Sequence, residues 1–295
     1  MSSSALRRVQ PATLIKRIAF GGIGLAIFSK ALMSTAKAES SAPVRVFGRG
    51  PAFVSLRLED SEVVNHNTKR LRFKLPHEDS ISGLTLTSAV LTVSWPKGRW
   101  LPVARPYTPV SAIDEPGFLD LLVKRYPDGK QSVHLHSLTP GQSLLFAAAL
   151  QGFQWKPNSF PHVTLIAGGS GITPIYQLTQ GILGNAEDKT TITLVYGANS
   201  DQDILLKKEF EQFENKFPGR FKAVYTVSHP VEGSPFRRGY VDKKLLEEVA
   251  LPPENGETKV FVCGPPAMER SLIGKKGVLG LLEQLGYRKD QVHTF

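Results

Sequence analysis

The residues of this sequence best suited to chemistry lie in one proline-rich heptapeptide, Arg-Pro-Tyr-Thr-Pro-Val-Ser at positions 105–111. Each proline fixes its own φ angle and restricts the residue before it, so the backbone is expected to be stiff and extended. Alternate side chains then share a face, which places Arg105, Tyr107 and Ser111 beside one ligand. A guanidinium binds a pyrophosphate and a phenol ring packs on a planar heterocycle, so the segment predicts a nucleotide cofactor site. A proline-rich edge strand with an exposed tyrosine would look the same.

A second stretch suited to chemistry is the glycine-rich turn Gly-Gly-Ser-Gly-Ile-Thr-Pro at 168–174. It follows an apolar run and precedes a predicted helix, which is the context of a dinucleotide-binding turn. Glycines let the backbone approach a pyrophosphate, and Pro174 at the first helical position would remove no needed donor. A glycine-rich turn alone is weak evidence, so the residues make it a candidate dinucleotide site, and Cys-Gly-Pro-Pro at 263–266 ends a later apolar strand.

A third candidate is the turn Gly-Lys-Gln-Ser at 129–132, at the start of a short predicted helix. A lysine and a hydroxyl beside free backbone amides attract an anion, although a lysine in a solvated turn has the same pattern. The strand before it ends in Val-Lys-Arg-Tyr at 123–126. Lys124 and Arg125 fit either a cofactor role or a plain surface role.

Composition and charge exclude several classes of site. The single cysteine excludes an internal disulfide and any Cys-based zinc or iron–sulfur site. His134 and His136 stand two apart without further ligands, so no metal is expected. The net charge of +10 is concentrated in residues 1–37, which hold six of the 36 basic residues and no acidic one, leaving 30 basic against 26 acidic residues. No nucleic-acid motif accompanies this charge, so no nucleic-acid partner is expected.

The first 38 residues predict a mitochondrial targeting and membrane anchor segment. Their apolar run at 18–29 is shorter than the ~20 residues of a spanning helix, but it reaches that length if Lys30 snorkels and the helix continues to about Ala36. A secretory signal peptide cleaved near residues 36–38 is the alternative. Residues 39–52, rich in Ser, Gly and Pro, predict a linker.

The predicted secondary structure of the remaining chain changes once, at about residue 158. Short β-rich segments at 53–58, 68–75, 89–93, 118–124 and 143–146, with one helix at 132–138, predict an N-terminal antiparallel β-barrel domain over residues 53–157. From 158 to 295, apolar strands at 163–167, 191–196, 221–227 and 259–263 alternate with helices at 174–183, 204–217 and 278–285, the last stopped by Gly286. This alternation predicts an α/β domain with a doubly wound parallel sheet. A stripe at helical spacing, namely Leu206, Phe210, Phe213 and Phe217, predicts core.

Taken in order, the three motifs at 105–111, 168–174 and 263–266 resemble those of the ferredoxin reductase-like flavoproteins, most closely the NADH-cytochrome b5 reductase group. The resemblance covers roughly residues 53–295, and the leader and C-terminal residues resemble the fungal mitochondrial form. It implies FAD and NADH as cofactors. It also implies hydride transfer from NADH to FAD and then single-electron transfer to cytochrome b5 or a similar haem protein. The alternative is a membrane-tethered FAD protein that assists the assembly or maturation of a haem protein, with slow turnover.

The resemblance also assigns roles to residues. It places Tyr107, Thr108, Thr173 and Cys263 at the reacting rings, with Cys263 positioning the nicotinamide and not acting as a nucleophile. Read alone, Cys263 would be a small buried hydrophobe. The residues assigned to cofactor binding are Arg105, Pro106, Tyr107, Thr108, Val123, Lys124, Tyr126, Gly129, Lys130, Ser132, Gly168, Gly169, Gly171, Thr173, Pro174, Ser228, Cys263, Gly264 and Pro265. Basic residues expected to attract an acidic haem protein are Lys97, Arg99, Lys124 and Arg125.

Three positions depart from the family pattern. Gln131 replaces a methionine, and Phe-Ala-Ala-Ala at 146–149 replaces a Gly-Pro, which leaves the segment joining the domains uncertain. The strand at 221–227 is followed by Ser228 instead of an acidic residue, so nothing there repels the 2′-phosphate of NADPH. Arg237 and Arg238 lie close in sequence and could meet such a phosphate.

Overall fold

The N-terminal half folds as one antiparallel sheet because its short strands place alternate apolar residues on one face. The strands are β1 (Gly50–Asn65), β2 (Thr68–Lys74), β3 (Ala89–Ser94), β4 (Val103–Tyr107), β5 (Phe118–Lys124) and β6 (Ser143–Leu150), with helix α1 (Lys130–Ser137) before β6. They pair in the order β4-β3-β6-β1-β2-β5. The inward side chains, among them Leu71, Phe73 and Phe146, are fully buried in one core. After β4, the Val110 N–H donates to the Asp120 carbonyl of β5 (2.9 Å), which links the two ends of the curled sheet.

This computed structural model describes residues 42–48, 50–98, 100–250, 252–253 and 257–295, of which Pro43–Phe295 form one unit. The leader predicted at 1–38 lies outside the described residues. Within the described ranges, no helix combines the length and apolarity needed to cross a membrane. The predicted linker at 39–52 is partly structured, because Phe47 is fully buried in the barrel core and β1 begins at Gly50.

The alanines at 147–149 extend β6 and do not interrupt it. Strand β6 pairs with β1 on one side and β3 on the other, and both registers shift where Ala147 lies. The extra residue is therefore absorbed as an irregularity of the sheet. The segment after β6 is fixed by Phe153, whose ring packs edge-on against Phe261 with 4.9 Å between ring centres.

The C-terminal half is a doubly wound parallel sheet, as the alternation of strands and helices predicts. Its strands pair in the order β10-β9-β8-β7-β11-β14, and apolar clusters cover both faces. The strands are β7 (His162–Gly168), β8 (Thr191–Ala198), β9 (Phe221–Val227), β10 (Arg237–Arg238), β11 (Thr258–Cys263) and β14 (Val292–Thr294). The helices are α2 (Ile172–Gly184), α3 (Lys207–Lys216), α4 (Lys243–Val249), α5 (Pro266–Ile273) and α6 (Leu281–Gln284). The short hairpin β12 (Gly274–Lys275) and β13 (Val278–Leu279) lies between α5 and α6.

Two predicted helices differ from the observed ones. The helix predicted at 204–217 begins at Lys207, because Leu206 adopts a left-handed conformation with φ of 58°. Its apolar stripe is nevertheless core, as predicted, with Phe210 fully buried. The helix predicted at 278–285 is wrong in its first part, because Gly277 has φ of 79° and turns the chain into the β12–β13 hairpin.

Candidate functional site

Strand β4 carries the Arg105 and Tyr107 side chains on one face. Arg105 lies opposite Thr92 of β3, and Tyr107 lies opposite Val90, so the two share a side of the sheet. Burial raises the pKa of the Tyr107 phenol to about 12, whereas the nearby Arg105 charge acts in the opposite direction. The Arg105 guanidinium is exposed and donates to its neighbour's carbonyl at Ala104 (2.7 Å).

The start of helix α1 is fixed beside Arg105 by a buried glutamine. Gln131 donates through Nε2 to Thr92 Oγ1 (2.8 Å), and Gln131 Oε1 accepts from Ser94 Oγ (2.5 Å). The departure from methionine at this position therefore has a structural reason, because two hydroxyls of β3 require a polar partner. Helix α1 has no side-chain cap at Gly129, so its first amides remain free for a ligand.

These groups fit the pyrophosphate of FAD. Within the described part of the chain, neither Arg105 nor Lys130 forms an ion pair, although both are exposed cations. Ser132 Oγ accepts from the Tyr126 N–H (3.1 Å) and donates to the Gly129 carbonyl (3.1 Å), which shapes the turn between them. Two unpaired cations and an uncapped helix start on one side of a sheet form an anion site.

Other residues predicted to contact FAD have different surroundings. The Val123 side chain is fully buried in the barrel core, and its carbonyl accepts from His136 Nε2 (2.8 Å). The Lys124 ammonium lies 2.7 Å from Asp203 Oδ1 of the α/β half. The Ser111 hydroxyl accepts from the Asp120 N–H (3.1 Å), so it supports the sheet instead of facing the same ligand as Arg105.

The glycine-rich turn and the Cys-Gly-Pro-Pro strand end meet in close backbone contact. A Cβ placed on Gly171 would lie 2.2 Å from the Cys263 carbonyl oxygen, and one on Gly168 would lie 2.8 Å from Pro265 Cδ. Both positions therefore require glycine, and Gly169 favours it for another reason, since its φ of 53° is in the left-handed region that glycine adopts without strain. Two motifs that are about ninety residues apart in sequence thus form one surface at the carboxyl ends of β7 and β11, where open parallel sheets bind ligands.

Helix α2 begins in this surface and contacts the proline-rich segment. The helix begins at Ile172, so Pro174 is its third residue and not its first as predicted; its missing N–H is still among the donors without an intrahelical partner. Thr173 is largely buried, and its hydroxyl donates to the Ser170 carbonyl (3.3 Å). Gln177 donates to the Pro109 carbonyl (3.3 Å). The only signal for this contact in the sequence is that Gln177 lies four residues after Thr173, on the same face of the helix.

A second hydrogen bond joins the two halves at the turn itself. The Tyr126 hydroxyl lies 2.7 Å from Ser170 Oγ in the glycine-rich turn. The Gln177–Pro109 bond attaches the helix that follows this turn to the segment two residues after Tyr107. The structure therefore places the turn at 168–171 against Tyr126, and the helix that follows the turn against the segment after Tyr107.

The Cys263 thiol ends strand β11 in a partly buried position. Burial, with a smaller effect of the Glu269 charge, raises its pKa to about 12. The thiol is therefore protonated throughout the physiological range. This is suited to packing against a ring and unsuited to nucleophilic attack.

The candidate ribose site lies where β9 ends. The Ser228 N–H donates to the Ala198 carbonyl (3.1 Å), and its hydroxyl donates to the Asn199 carbonyl (3.3 Å). Of the two arginines considered for a 2′-phosphate, Arg237 is engaged by Glu248 Oε2 (2.6 Å). Arg238 is exposed and pairs with Val227 across the strands, next to Ser228, so it is the arginine that remains for a phosphate.

Among the candidates for attracting an acidic partner, Lys97 and Arg125 are exposed and Arg99 lies outside the described residues. Lys124 does not serve, because its ammonium is mostly buried against Asp203. No group of three or more His, Cys, Asp or Glu residues in the described ranges is arranged to hold a metal ion.

The fold and this site define a class, the two-domain oxidoreductases that bind a flavin on an antiparallel barrel and a nicotinamide dinucleotide on a parallel sheet. Residues 55–155 match the oxidoreductase FAD-binding domain family, and residues 165–273 match the oxidoreductase NAD-binding domain family. The predicted FAD and nicotinamide cofactors are thereby confirmed.

Relatives specify the family further. The chain is 46% identical to NADH-cytochrome b5 reductase 2 of Pyricularia oryzae, over 92% of this chain and 87% of that protein. It is 43% identical to NADH-cytochrome b5 reductase 2 of Emericella nidulans, over 100% of this chain and 94% of that protein. The crystal structure of the cytochrome b5 reductase domain of Ulva prolifera nitrate reductase has a TM-score of 0.73 at 28% identity, over 86% of this chain and 100% of that one. The chain belongs to the NADH-cytochrome b5 reductase family.

Proposed function

We propose that this protein transfers a hydride from NADH to FAD and then passes electrons singly to cytochrome b5 or a similar haem protein. The observation that carries the proposal is the junction of three motifs. The Gly171 backbone contacts Cys263, Ser170 of the same turn bonds to Tyr126, and Gln177 of helix α2 bonds to the Pro109 carbonyl, two residues after Tyr107. A flavin ring on Tyr107 and a nicotinamide on the turn would therefore be neighbours.

The residues of the junction bind, orient and exclude water. Arg105, Lys130 and the free amides of α1 would hold the FAD pyrophosphate, and Tyr107 would orient the ring system. Thr173 and the protonated Cys263 would line the nicotinamide side and keep water from it. The flavin supplies the conversion of one hydride into two separate electrons, and the protein supplies alignment.

The electron acceptor is inferred from the names of the relatives and from charge. Both fungal relatives are named for cytochrome b5. The described body exposes Lys97 and Arg125, which are suited to an acidic partner surface. Exposed charges of this kind steer association and are screened by salt, so acceptor reduction should slow as ionic strength rises.

We propose that the protein is a membrane-anchored mitochondrial protein, located at the outer membrane or facing the intermembrane space. The support is the sequence of residues 1–38, with six basic residues, no acidic one and an apolar run at 18–29. A fluorescent fusion of residues 1–41 tests this placement in fungal cells. Mitochondrial fluorescence that stays with membranes after carbonate extraction supports it, and secretion of the reporter contradicts it.

The reductase activity is tested by steady-state turnover with purified protein lacking residues 1–40. We expect rapid NADH-dependent reduction of cytochrome b5, with a rate that falls as salt is raised from low to physiological concentration. An assembly factor would bind FAD but reduce cytochrome b5 only slowly. Turnover no faster than that of free FAD with NADH would therefore contradict the proposed function.

A further inference from the structure

A largely buried ion pair crosses the seam between the barrel and the α/β half. Lys124, the last residue of β5, has its Nζ 2.7 Å from Oδ1 of Asp203, in the short helical turn Asp201–Asp203 after β8. Only 11% of the lysine side chain and 7% of the aspartate side chain are exposed. A pair so far removed from water is stable only when the geometry is good and the remaining oxygens are satisfied.

The Asp203 carboxylate is fully engaged. Its Oδ1 also accepts from Asn67 Nδ2 (3.2 Å), and its Oδ2 accepts from Ser200 Oγ (2.8 Å). Burial raises the pKa of this carboxyl, but the hydrogen bonds from Lys124, Ser200 and Asn67 outweigh that effect and hold its pKa at about 2. The carboxylate is therefore charged at neutral pH.

The ion pair belongs to a closed ring of contacts that includes the glycine-rich turn. On the barrel side, Tyr126 stands two residues after Lys124 and bonds to Ser170 (2.7 Å). On the other side, the Tyr196 hydroxyl of β8 donates to the Gly169 carbonyl (3.0 Å) and accepts from the Leu205 N–H (3.3 Å), two residues after Asp203. The turn is thus held from both ends of the Lys124–Asp203 pair.

We propose that Asp203 is a positioning residue, which through Lys124 fixes the distance between the barrel residues Arg105 and Tyr107 and the glycine-rich turn at 168–171. This inference rests on the proposed function, because it concerns the geometry of the same hydride transfer. If the pair is lost, both halves should still bind their cofactors, but the position of the barrel strand relative to the turn is no longer fixed. Misplacement of the reacting atoms by about 1 Å can slow a reaction about a hundredfold.

The test compares three variants of the full-length protein, loaded with FAD. Asp203→Asn keeps the shape of the carboxylate but leaves the Lys124 ammonium unpaired. The double variant, Lys124→Met combined with Asp203→Asn, removes both charges. The control is Glu209→Gln, because Glu209 and Arg70 form another ion pair across the same seam, at 3.5 Å and with 32% of each side chain exposed. Readouts are flavin content, melting temperature, NADH affinity of the oxidised protein and the bleaching rate of the flavin at saturating NADH.

We expect Asp203→Asn to retain one flavin per chain and to bind NADH within about threefold of the wild type, while flavin bleaching slows about ten- to a hundredfold. The doubly substituted protein should recover much of the melting temperature, because no charge is left buried alone, yet bleaching should stay slow. Glu209→Gln should bleach within about twofold of the wild type, since exposed pairs contribute little.

Two results would overturn the inference. One is a bleaching rate of Asp203→Asn within twofold of the control. The other is recovery of both melting temperature and bleaching rate in the doubly substituted protein, which would show a purely structural role. Failure of NADH to bleach the wild-type flavin would defeat the proposed function itself, so the two failures are distinguishable.

Discussion

The two halves of the molecule would bind their cofactors through different groups. The barrel offers side chains: the exposed Arg105 guanidinium and Lys130 ammonium and the partly buried Tyr107 ring, beside a helix start that has no side-chain cap. The α/β half offers backbone, because its turn packs so closely on Cys263 that no Cβ fits at Gly171. A loss of side-chain chemistry should therefore impair the barrel site gradually. The turn, in contrast, should fail abruptly when its backbone is displaced.

The largest effect is therefore expected from Gly171→Ala. The new methyl group would lie 2.2 Å from the Cys263 carbonyl oxygen, so turn and strand must separate. Overpacking against backbone costs about 1–3 kcal/mol or more, and the displacement falls at the nicotinamide. We expect FAD to remain bound while NADH bleaches the flavin at least about a hundredfold more slowly. Stopped-flow absorbance measures both.

The matched control for that variant is Gly184→Ala, at the other end of the same helix, where no atom lies within 4 Å of the added Cβ. It should behave as the wild type. Normal bleaching by Gly171→Ala would show that the contact with Cys263 is not tight in solution.

The next largest effect tests the side-chain half of the comparison. Arg105→Ala removes a charge-assisted contact worth roughly 1.5–3 kcal/mol, so FAD affinity should fall about tenfold or more. Titration of the apoprotein with FAD, followed by flavin fluorescence, gives the Kd. Arg125→Ala, which removes another exposed arginine, should leave the Kd unchanged. If the Arg105→Ala protein retained stoichiometric, tightly bound flavin, the assignment of Arg105 to the pyrophosphate site would be wrong.

A smaller effect is expected from Cys263→Ser. Hydroxyl and thiol fill similar space, so the variant should bind FAD normally and keep measurable NADH-dependent bleaching. Because the thiol pKa is about 12, the bleaching rate of neither protein should show a thiol ionisation between pH 6 and 9. A complete loss of bleaching, or a wild-type step in that range that the serine variant lacks, would indicate a chemical role for the thiol.

The smallest and most selective effect concerns the choice of coenzyme. We expect NADH to be preferred over NADPH by about a hundredfold or less, under ~3 kcal/mol, because Ser228 supplies no repulsion. Ser228→Asp should sharpen the preference, chiefly by weakening NADPH, and Arg238→Gln should lower kcat/KM for NADPH alone. Arg237→Gln is the control, because its partner is Glu248. An unchanged ratio in Ser228→Asp would place the ribose at another strand end.

Most of the structural features that depend on local sequence pattern could be predicted. The barrel strands, the parallel strands and the three motifs follow from alternation, glycine and proline placement and apolar runs, and the structure has them in that order. Strand β9 was predicted to the residue at 221–227. The β12–β13 hairpin was missed, because a positive φ at Gly277 competes with an apolar spacing that resembles a helix.

The parts of the site that sequence could not supply depend on contacts between distant residues. Lys124 was predicted to bind a cofactor or attract a partner, but Asp203, 79 residues later, holds its ammonium. Gln131 was only a departure from a family pattern until Thr92 and Ser94 were seen beside it. Arg237 and Arg238 are adjacent in sequence, yet strand alternation turns one towards Glu248 and leaves the other exposed.

The most direct test of the central claim is a single-turnover reaction in the absence of oxygen and of any acceptor. Protein lacking residues 1–40 and carrying oxidised FAD is mixed with saturating NADH, or with NADH that carries deuterium at one or the other C4 position. We predict that the flavin absorbance bleaches within the mixing time or shortly after, and that deuterium slows bleaching from one C4 face only, because the turn holds the nicotinamide in one orientation. Bound flavin that NADH does not bleach, or bleaching that responds equally to deuterium on both faces, would contradict the account.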